Sequence, residues 1–382
     1  MGLSLGCVDF STEPSESQVP PAPGETGTEL DTQDDTGSAP DTGEDADTGA
    51  DDGDTGDGGP ADPDPDWAGD YSQKGSWTPG HLGDEITGSS ADTLYIDTWF
   101  PSSDSGATHH YYGWPTWGFD GESFTDVSPD CSEPRPVLIH SHGNTSIRWE
   151  MFWLPEFMST HGWIVAAPDH AGNTLYDSSE DFMTLLWRRP QDLRDTFDWL
   201  VEESENPASP LFGCVDAEAG YAVSGYSFGG YTAYVTAGAL VNDDGQPTYD
   251  FSDPRVWAAV THAPWNAYGA LTTGTGAIDV PVLTLGGDYD ATVGTQYQNL
   301  HSHIESTPRA VGGFATAGHY SWAPIYCSGW GDGCGSGFVD EEDFLPLVQT
   351  AVMSMLEHLR GKKGALEQMP EMADELTWEL VD

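Results

Sequence analysis

Between residues 137 and 311 the chain returns repeatedly to short, nearly continuous apolar runs. They are Val137 to His140, Trp163 to Ala167, Tyr221 to Ser224, Trp257 to Val260, Val280 to Leu285 and the weaker Ala310-Val311. A strand with one face in water alternates apolar and polar residues, whereas an unbroken run must be covered on both faces. Helical segments fall between the runs. Arg189 to Glu203 repeats apolar residues at Leu193, Phe197 and Leu200 with Pro190 in its first turn, Phe228 to Leu240 is small and apolar, and Leu345 to Leu359 carries a stripe through Leu347, Val352, Leu356 and Leu359. This alternation predicts an α/β chain built on a mostly parallel, doubly wound sheet, with any site at the carboxyl ends of its strands. Leu94 to Phe100 alternates and stops at Pro101, which suits an early antiparallel strand.

The ends of the runs are where chemistry gathers. Gly225-Tyr226-Ser227-Phe228-Gly229-Gly230 follows one apolar run and opens a helix of small residues. Glycines at that spacing let a strand become a helix within one residue and leave Ser227 exposed on a sharp turn. A serine nucleophile needs a histidine to take its proton and an acid to orient that histidine. Asp288 and Asp290 stand just past the run at 280–285, and His319 follows in Ala317-Gly318-His319-Tyr320. The order serine, acid, histidine is that of a strand-turn-helix nucleophile. Two residues apart on extended backbone, the aspartates should point oppositely, and Asp290, further past the strand, is the one expected to meet His319. An oxyanion would draw amides from Phe228 and from Asn144, in the loop Ser141-His142-Gly143-Asn144. The other histidines read as bystanders: His262 precedes either acid, His301 and His303 fall on a helix expected to face solvent, and the neighbours His109 and His110 suit a surface loop. No metal and no cofactor is required.

Six pieces also carry a family likeness in order: SHG at 141–143, THGWIVAAPDHAGNT at 160–174, RPQDLRDTFDWL at 189–200, GYSFGGYTA at 225–233, GGDYD at 286–290 and AGHYSW at 317–322. Over roughly residues 90–360 the chain resembles the bacterial relatives of platelet-activating-factor acetylhydrolase, often labelled predicted dienelactone hydrolases. The resemblance implies the α/β-hydrolase fold, with Ser227, Asp290 and His319 as the catalytic residues. True dienelactone hydrolases carry Cys at the nucleophile, so Ser227 argues against that substrate. Ala263-Pro264-Trp265 and Gly287-Asp288-Tyr289-Asp290 are similar to stretches of bacterial cutinases and polyester hydrolases, which implies that Trp265 walls the substrate pocket; a buried structural role is the alternative. Two segments lie outside these motifs, and each is placed to cap a site: the aromatic residues 104–130 and Tyr320 to Phe338 with its two cysteines.

Charge bounds the partners. The 382 residues carry a formal net charge of −53, and residues 1–66 hold 19 of the 64 acids and none of the 11 Lys and Arg. Such a surface repels nucleic acid and anionic membranes. A salt-adapted surface and plain solubility through self-repulsion both account for it. Residues 11–66, with their repeated Asp-Thr-Gly, hold too little apolar surface for a core and read as a disordered acidic linker. Asp51-Asp52-Gly53-Asp54 lacks the spacing and closing Glu of a calcium loop. Residues 1–10 resemble the end of a bacterial lipoprotein signal at Leu3-Ser4-Leu5-Gly6-Cys7, which implies membrane attachment through a lipidated Cys7; a chance likeness is the other reading, since Ser4 stands where Leu is usual. The remaining organisation is a catalytic domain over 67–365 and an acidic C-terminal tail over 366–382.

Four cysteines are left. Cys131 and Cys214 each precede strands that are neighbours in this fold, so a Cys131–Cys214 disulfide is expected, with Cys327–Cys334 closing a short loop after His319; such pairs suit a secreted or cell-surface protein. The functional reading is hydrolysis of a small-molecule or lipid carboxylic ester. Its alternatives are a lipase or cutinase-like polyester hydrolase and, from another class, a non-catalytic surface protein that retains the fold.

Overall fold

The computed structural model describes residues 68–114, 117–242, 248–327, 331–371 and 376–381. The expected signal remnant with Cys7 and the acidic linker lie outside the described residues. The described part is an α/β protein built on one 11-stranded sheet, mostly parallel at its centre.

Its strands are β1 (Thr78–Thr87), β2 (Thr93–Ser102), β3 (His109–Trp114), β4 (Trp117–Phe124), β5 (Val137–Ser141), β6 (Ile164–Pro168), β7 (Tyr221–Tyr226), β8 (Val256–His262), β9 (Val282–Gly287), β10 (Arg309–Phe314) and β11 (Leu376–Val381). The helices are α1 (Trp153–Thr160), α2 (Phe182–Glu205), α3 (Phe228–Thr236), α4 (Gln296–His301) and α5 (Glu341–Leu359). Across the sheet the order is β11-β10-β9-β8-β7-β5-β6-β2-β1-β4-β3. From β6 to β10 every neighbouring pair is parallel. β2 joins β6 antiparallel, as its alternation predicts.

Why the apolar runs are unbroken is visible in the packing. Val137 and Ile139 enter one core with Leu193 and Phe197 of α2 and Tyr231 of α3. Leu138 between them enters the other, with Leu154 of α1 and Val348 and Val352 of α5. β6 and β7 divide their residues the same way. A period of two with helices on both faces leaves no position for a polar residue until the strand ends.

α2 starts seven residues earlier than expected, at Phe182, where the Asp181 carboxylate accepts the Thr184 N–H at 3.1 Å. Pro190 therefore lies inside the helix rather than in its first turn. It has no N–H for the carbonyl of Leu186, and that carbonyl instead accepts the Tyr231 hydroxyl at 3.0 Å. A tertiary contact thus satisfies the carbonyl that the proline leaves without its helical partner.

Other expectations need correction. The stretch 366–382, read as an acidic tail, supplies β11, which pairs antiparallel with β10 from Arg309↔Val381 to Phe314↔Leu376. Trp378 can lie over β10 because Gly312 has no side chain; a Cβ there would meet the ring at 2.4 Å. The aromatic segment 104–130 contains the β3–β4 hairpin at the far edge of the sheet, five strands away from β7, not a cap over the strand ends. His109 and His110 are in strand β3, and His110 stacks on His81 with ring centroids 3.6 Å apart. His301 is buried, with Nδ1 3.0 Å from the Thr284 hydroxyl, so α4 turns that histidine inward. Both disulfides are present, Cys131–Cys214 and Cys327–Cys334. Among the described residues no helix is long and apolar enough to cross a membrane.

Candidate active site

Ser227 occupies the single residue between β7 and α3, with φ +56° and ψ −115°. A side chain pays steric strain at such angles, and the packing around the turn holds it there. A Cβ on Gly225 would sit 2.0 Å from the Gly229 carbonyl oxygen, one on Gly229 1.8 Å from that of Ser141, and one on Gly230 2.7 Å from Pro264. The glycines are therefore required by close backbone approach. They let the start of α3 dock directly on the end of β5.

β9 and β10 deliver the other groups. His319 stands on a short 3-10 turn after β10, and its Nε2 lies 3.0 Å from Ser227 Oγ. Its Nδ1 lies 2.7 Å from Asp290 Oδ2. Asp290 is buried and accepts the N–H groups of Thr292 and Val293 on Oδ1 at 2.9 and 2.8 Å. Asp288 points elsewhere: it is exposed and accepts the Tyr297 hydroxyl at 2.8 Å. Tyr226 donates its hydroxyl to the His319 carbonyl at 2.9 Å, which ties the histidine's backbone to the strand that carries the serine. Serine, histidine and carboxylate so joined can pass a proton from the hydroxyl as it attacks an electrophile.

Phe228 is the first residue of α3, where helical N–H groups have no acceptor within the helix and point at the serine's side. Asn144 is exposed in the loop after β5, and its side-chain oxygen accepts from Asn173 Nδ2 at 3.0 Å. That loop is gripped from both faces of the sheet. From the α2 side the buried Arg189 donates to the Ser141 hydroxyl at 3.1 Å, to the His142 carbonyl and to the Asn173 side chain. Its guanidinium also lies 4.6 Å from the Phe228 ring centroid. From the α1 side the buried Glu150 accepts the Gly143 N–H at 2.7 Å and bonds to the Ser146 hydroxyl, which in turn meets the Tyr326 hydroxyl.

Burial governs the ionisation of this layer. It pushes Glu150 up to about 8 and pulls His140 down to about 3, the Arg189 charge adding to the latter. His142 and His170 fall well below the usual range for the same reasons. Asp192, 2.8 Å from His170 Nδ1, is pushed well above the carboxylate range by its burial, with the nearby Asp195 adding to the rise. Arg189 is lowered only to about 9 and stays a cation at neutral pH.

Trp265 lies beside the serine: its backbone N–H donates to the Ser227 carbonyl at 3.0 Å. Its half-buried ring packs against Phe228, Phe182 and Tyr268, at centroid distances of 5.3, 5.8 and 4.7 Å. His262 is buried under the site and its carbonyl accepts the Ser227 N–H at 3.0 Å, so it holds the turn by its backbone. The segment Tyr320 to Phe338, unlike the aromatic hairpin, does pack on the site, through Asp332 and Tyr326. Sequence reasoning missed Arg189, Glu150, Tyr226 and Asp332. Arg189 and Tyr226 stand inside stretches that carried the family likeness, whereas Glu150 and Asp332 have no local signature. No family model matches the chain, and no curated protein matches it.

Proposed function

We propose that this chain is a serine hydrolase of the α/β-hydrolase fold, related to the bacterial platelet-activating-factor acetylhydrolase-like family, that cleaves carboxylic esters. The observation that carries the reading is the continuous relay Ser227–His319–Asp290, with contacts of 3.0 and 2.7 Å. Ser227 Oγ attacks the ester carbonyl carbon while His319 Nε2 takes its proton. The tetrahedral oxyanion faces the amides of Phe228 and Asn144, as such intermediates require. His319 then returns the proton to the departing alkoxide, which leaves Ser227 acylated. A water, deprotonated by the same nitrogen, releases the acid. Asp290 keeps the histidine proton on Nδ1 throughout.

Net charge favours neutral substrates, because a field from 64 acids against 11 bases disfavours esters that carry carboxylate or phosphate. A second reading, a lipase or polyester hydrolase, draws on the half-open aromatic wall of Trp265, Phe182 and Tyr268, the last 62% exposed. Two disulfides suit an oxidising compartment, which supports a secreted or cell-surface location. Turnover of p-nitrophenyl esters from C2 to C12 by wild type and Ser227→Ala tests the reading. We expect the variant to lose about 10⁴–10⁶ in kcat with an unchanged circular dichroism spectrum. Retention of more than about a hundredth of wild-type turnover removes Ser227 as nucleophile.

A further inference from the structure

Asp332 lies in the loop after His319, part-buried, and its carboxylate gathers donors from two loops. Oδ1 accepts the His319 N–H at 3.2 Å. Both oxygens share the Ala291 N–H, at 3.2 and 3.1 Å. Oδ2 accepts the Thr292 hydroxyl at 2.6 Å. Ala291 directly follows Asp290, and the next two amides fold back onto Asp290 itself. The turn around Asp290 is therefore held from outside by one carboxylate and from inside by the other. Asp332 also accepts the Tyr320 N–H on its own carbonyl at 2.8 Å. Glycines admit this approach: a Cβ on Gly318 would lie 2.6 Å from Asp332 Oδ1, and one on Gly333 2.5 Å from the Ser321 nitrogen. The Cys327–Cys334 disulfide bounds the loop that carries Asp332.

We propose that Asp332 is a positioning residue of the relay, setting the distance between Asp290 and His319 by tying the backbone on either side of their contact; this rests on the ester-hydrolase reading. A carboxylate suits the task because it only accepts, and every group that converges on it is a donor. Asparagine keeps one accepting oxygen for the two amides and can turn its NH₂ to the Thr292 oxygen. Alanine keeps nothing. A displacement of about 1 Å in such a relay costs about 10²-fold in rate.

The test compares Asp332→Ala, Asp332→Asn and the control Asp288→Ala in the full chain on a soluble p-nitrophenyl ester, with melting temperature measured alongside. Asp332→Ala is expected to lower kcat by about 30–100-fold with KM within about threefold, and to slow inactivation by a serine-directed phosphonate in parallel. Asp332→Asn should return to within about fivefold, and Asp288→Ala should stay within about twofold. An Asp332→Ala enzyme with normal kcat, or an Asp332→Asn enzyme as slow as the alanine variant, overturns the proposal. If Asp332→Ala does not fold, Thr292→Val carries the test: a drop of about threefold in kcat at constant KM supports the positioning role, and wild-type kcat overturns it. Ser227→Ala run in parallel separates the two readings. A wild type without ester turnover sinks the ester-hydrolase reading and an active Ser227→Ala sinks the Ser227 relay on which it is built, whereas a dead Ser227→Ala beside an unaffected Asp332→Ala sinks only the positioning role.

Discussion

Two polar assemblies meet at Ser227, and they are built on opposite terms. The relay of Ser227, His319 and Asp290 lies at the ends of three strands, and its most accessible member, Ser227, is 8% exposed. The layer beneath the loop 141–144, with Arg189, Glu150, His170 and Asp192, is sealed between the sheet and helices α1, α2 and α3. In the relay each bond joins one reacting group to the next. In the layer Arg189 holds the His142 carbonyl and the Ser141 hydroxyl, and Glu150 holds the Gly143 N–H, so these groups shape a loop instead of reacting. Removing a relay member should therefore abolish turnover and spare the fold. Removing a member of the layer leaves desolvated partners behind and should damage the fold itself.

The largest effect tests the relay side of that contrast. Asp290→Asn should leave His319 with its proton on the wrong nitrogen and lower kcat by about 10⁴, while the melting temperature moves little. Asp288→Asn, whose carboxylate meets only Tyr297 among the groups described above, should stay near wild type. Steady-state kinetics of the two variants, side by side, decides which acid serves; a crippled Asp288→Asn with a normal Asp290→Asn reverses the assignment.

On the other side stands Arg189→Met. It keeps much of the volume but strips the His142 carbonyl, Ser141 and Asn173 of their shared donor. Breaking one partner out of such a buried charged set costs about 3–5 kcal/mol. Urea unfolding should register that loss, and a loss below about 1 kcal/mol would show that the layer is not what holds the loop. Smaller again is the Cys131–Cys214 link, which closes a separation of 83 residues far from the relay. Replacing both cysteines by serine should cost about 2–4 kcal/mol and leave kcat/KM unchanged in the folded protein.

The smallest effect is one of pH. Glu150 has an ordinary value of 4.5 and sits at about 8 in the fold. Between those values the folded chain holds a proton that the unfolded chain has released. Its favourable contribution is complete below about pH 4.5 and is lost as pH rises through about 8. Glu150→Gln imitates the protonated form, with an oxygen for the Gly143 N–H and an NH₂ for Ser146. It should flatten the decline in urea midpoint between pH 7 and pH 9 relative to wild type. Parallel declines in the two proteins would mean that the alkaline sensitivity lies in other groups.

The same contrast explains what the sequence could reveal. The parallel centre was legible because burial on both faces forces continuous apolar runs, and the serine turn because glycines are required at fixed positions. Both are local constraints. Which aspartate meets His319 could be argued from alternation along a strand and its end. Arg189 could not be assigned in this way: its partners are 16 to 48 residues away and are selected by the packing of α2 on the sheet. Asp332 reaches Ala291 across 41 residues by a loop with no periodic pattern. β11 was hidden by acidic composition, although its Leu376 and Trp378 pack on the core. The aromatic richness of hairpin β3–β4 suggests a cap, but its Tyr112 hydroxyl accepts from Trp99 of β2 and donates to Glu156 of α1.

The approach of Gly229 to the Ser141 carbonyl has a bearing on how this protein can change. It puts the two segments proposed to offer amides to an oxyanion in direct main-chain contact, so their spacing is a property of the scaffold and not of any exchangeable side chain. Substitutions there will be purged by selection, and directed-evolution libraries aimed there will return mostly inactive clones. Under the proposed function, the freedom to acquire new substrates lies instead on the rim, at Trp265, Tyr268 and Phe182, where side chains can be exchanged without moving the backbone around Ser227. A saturation library confined to those three positions should yield altered acyl preference far more often than one placed on residues 225–230.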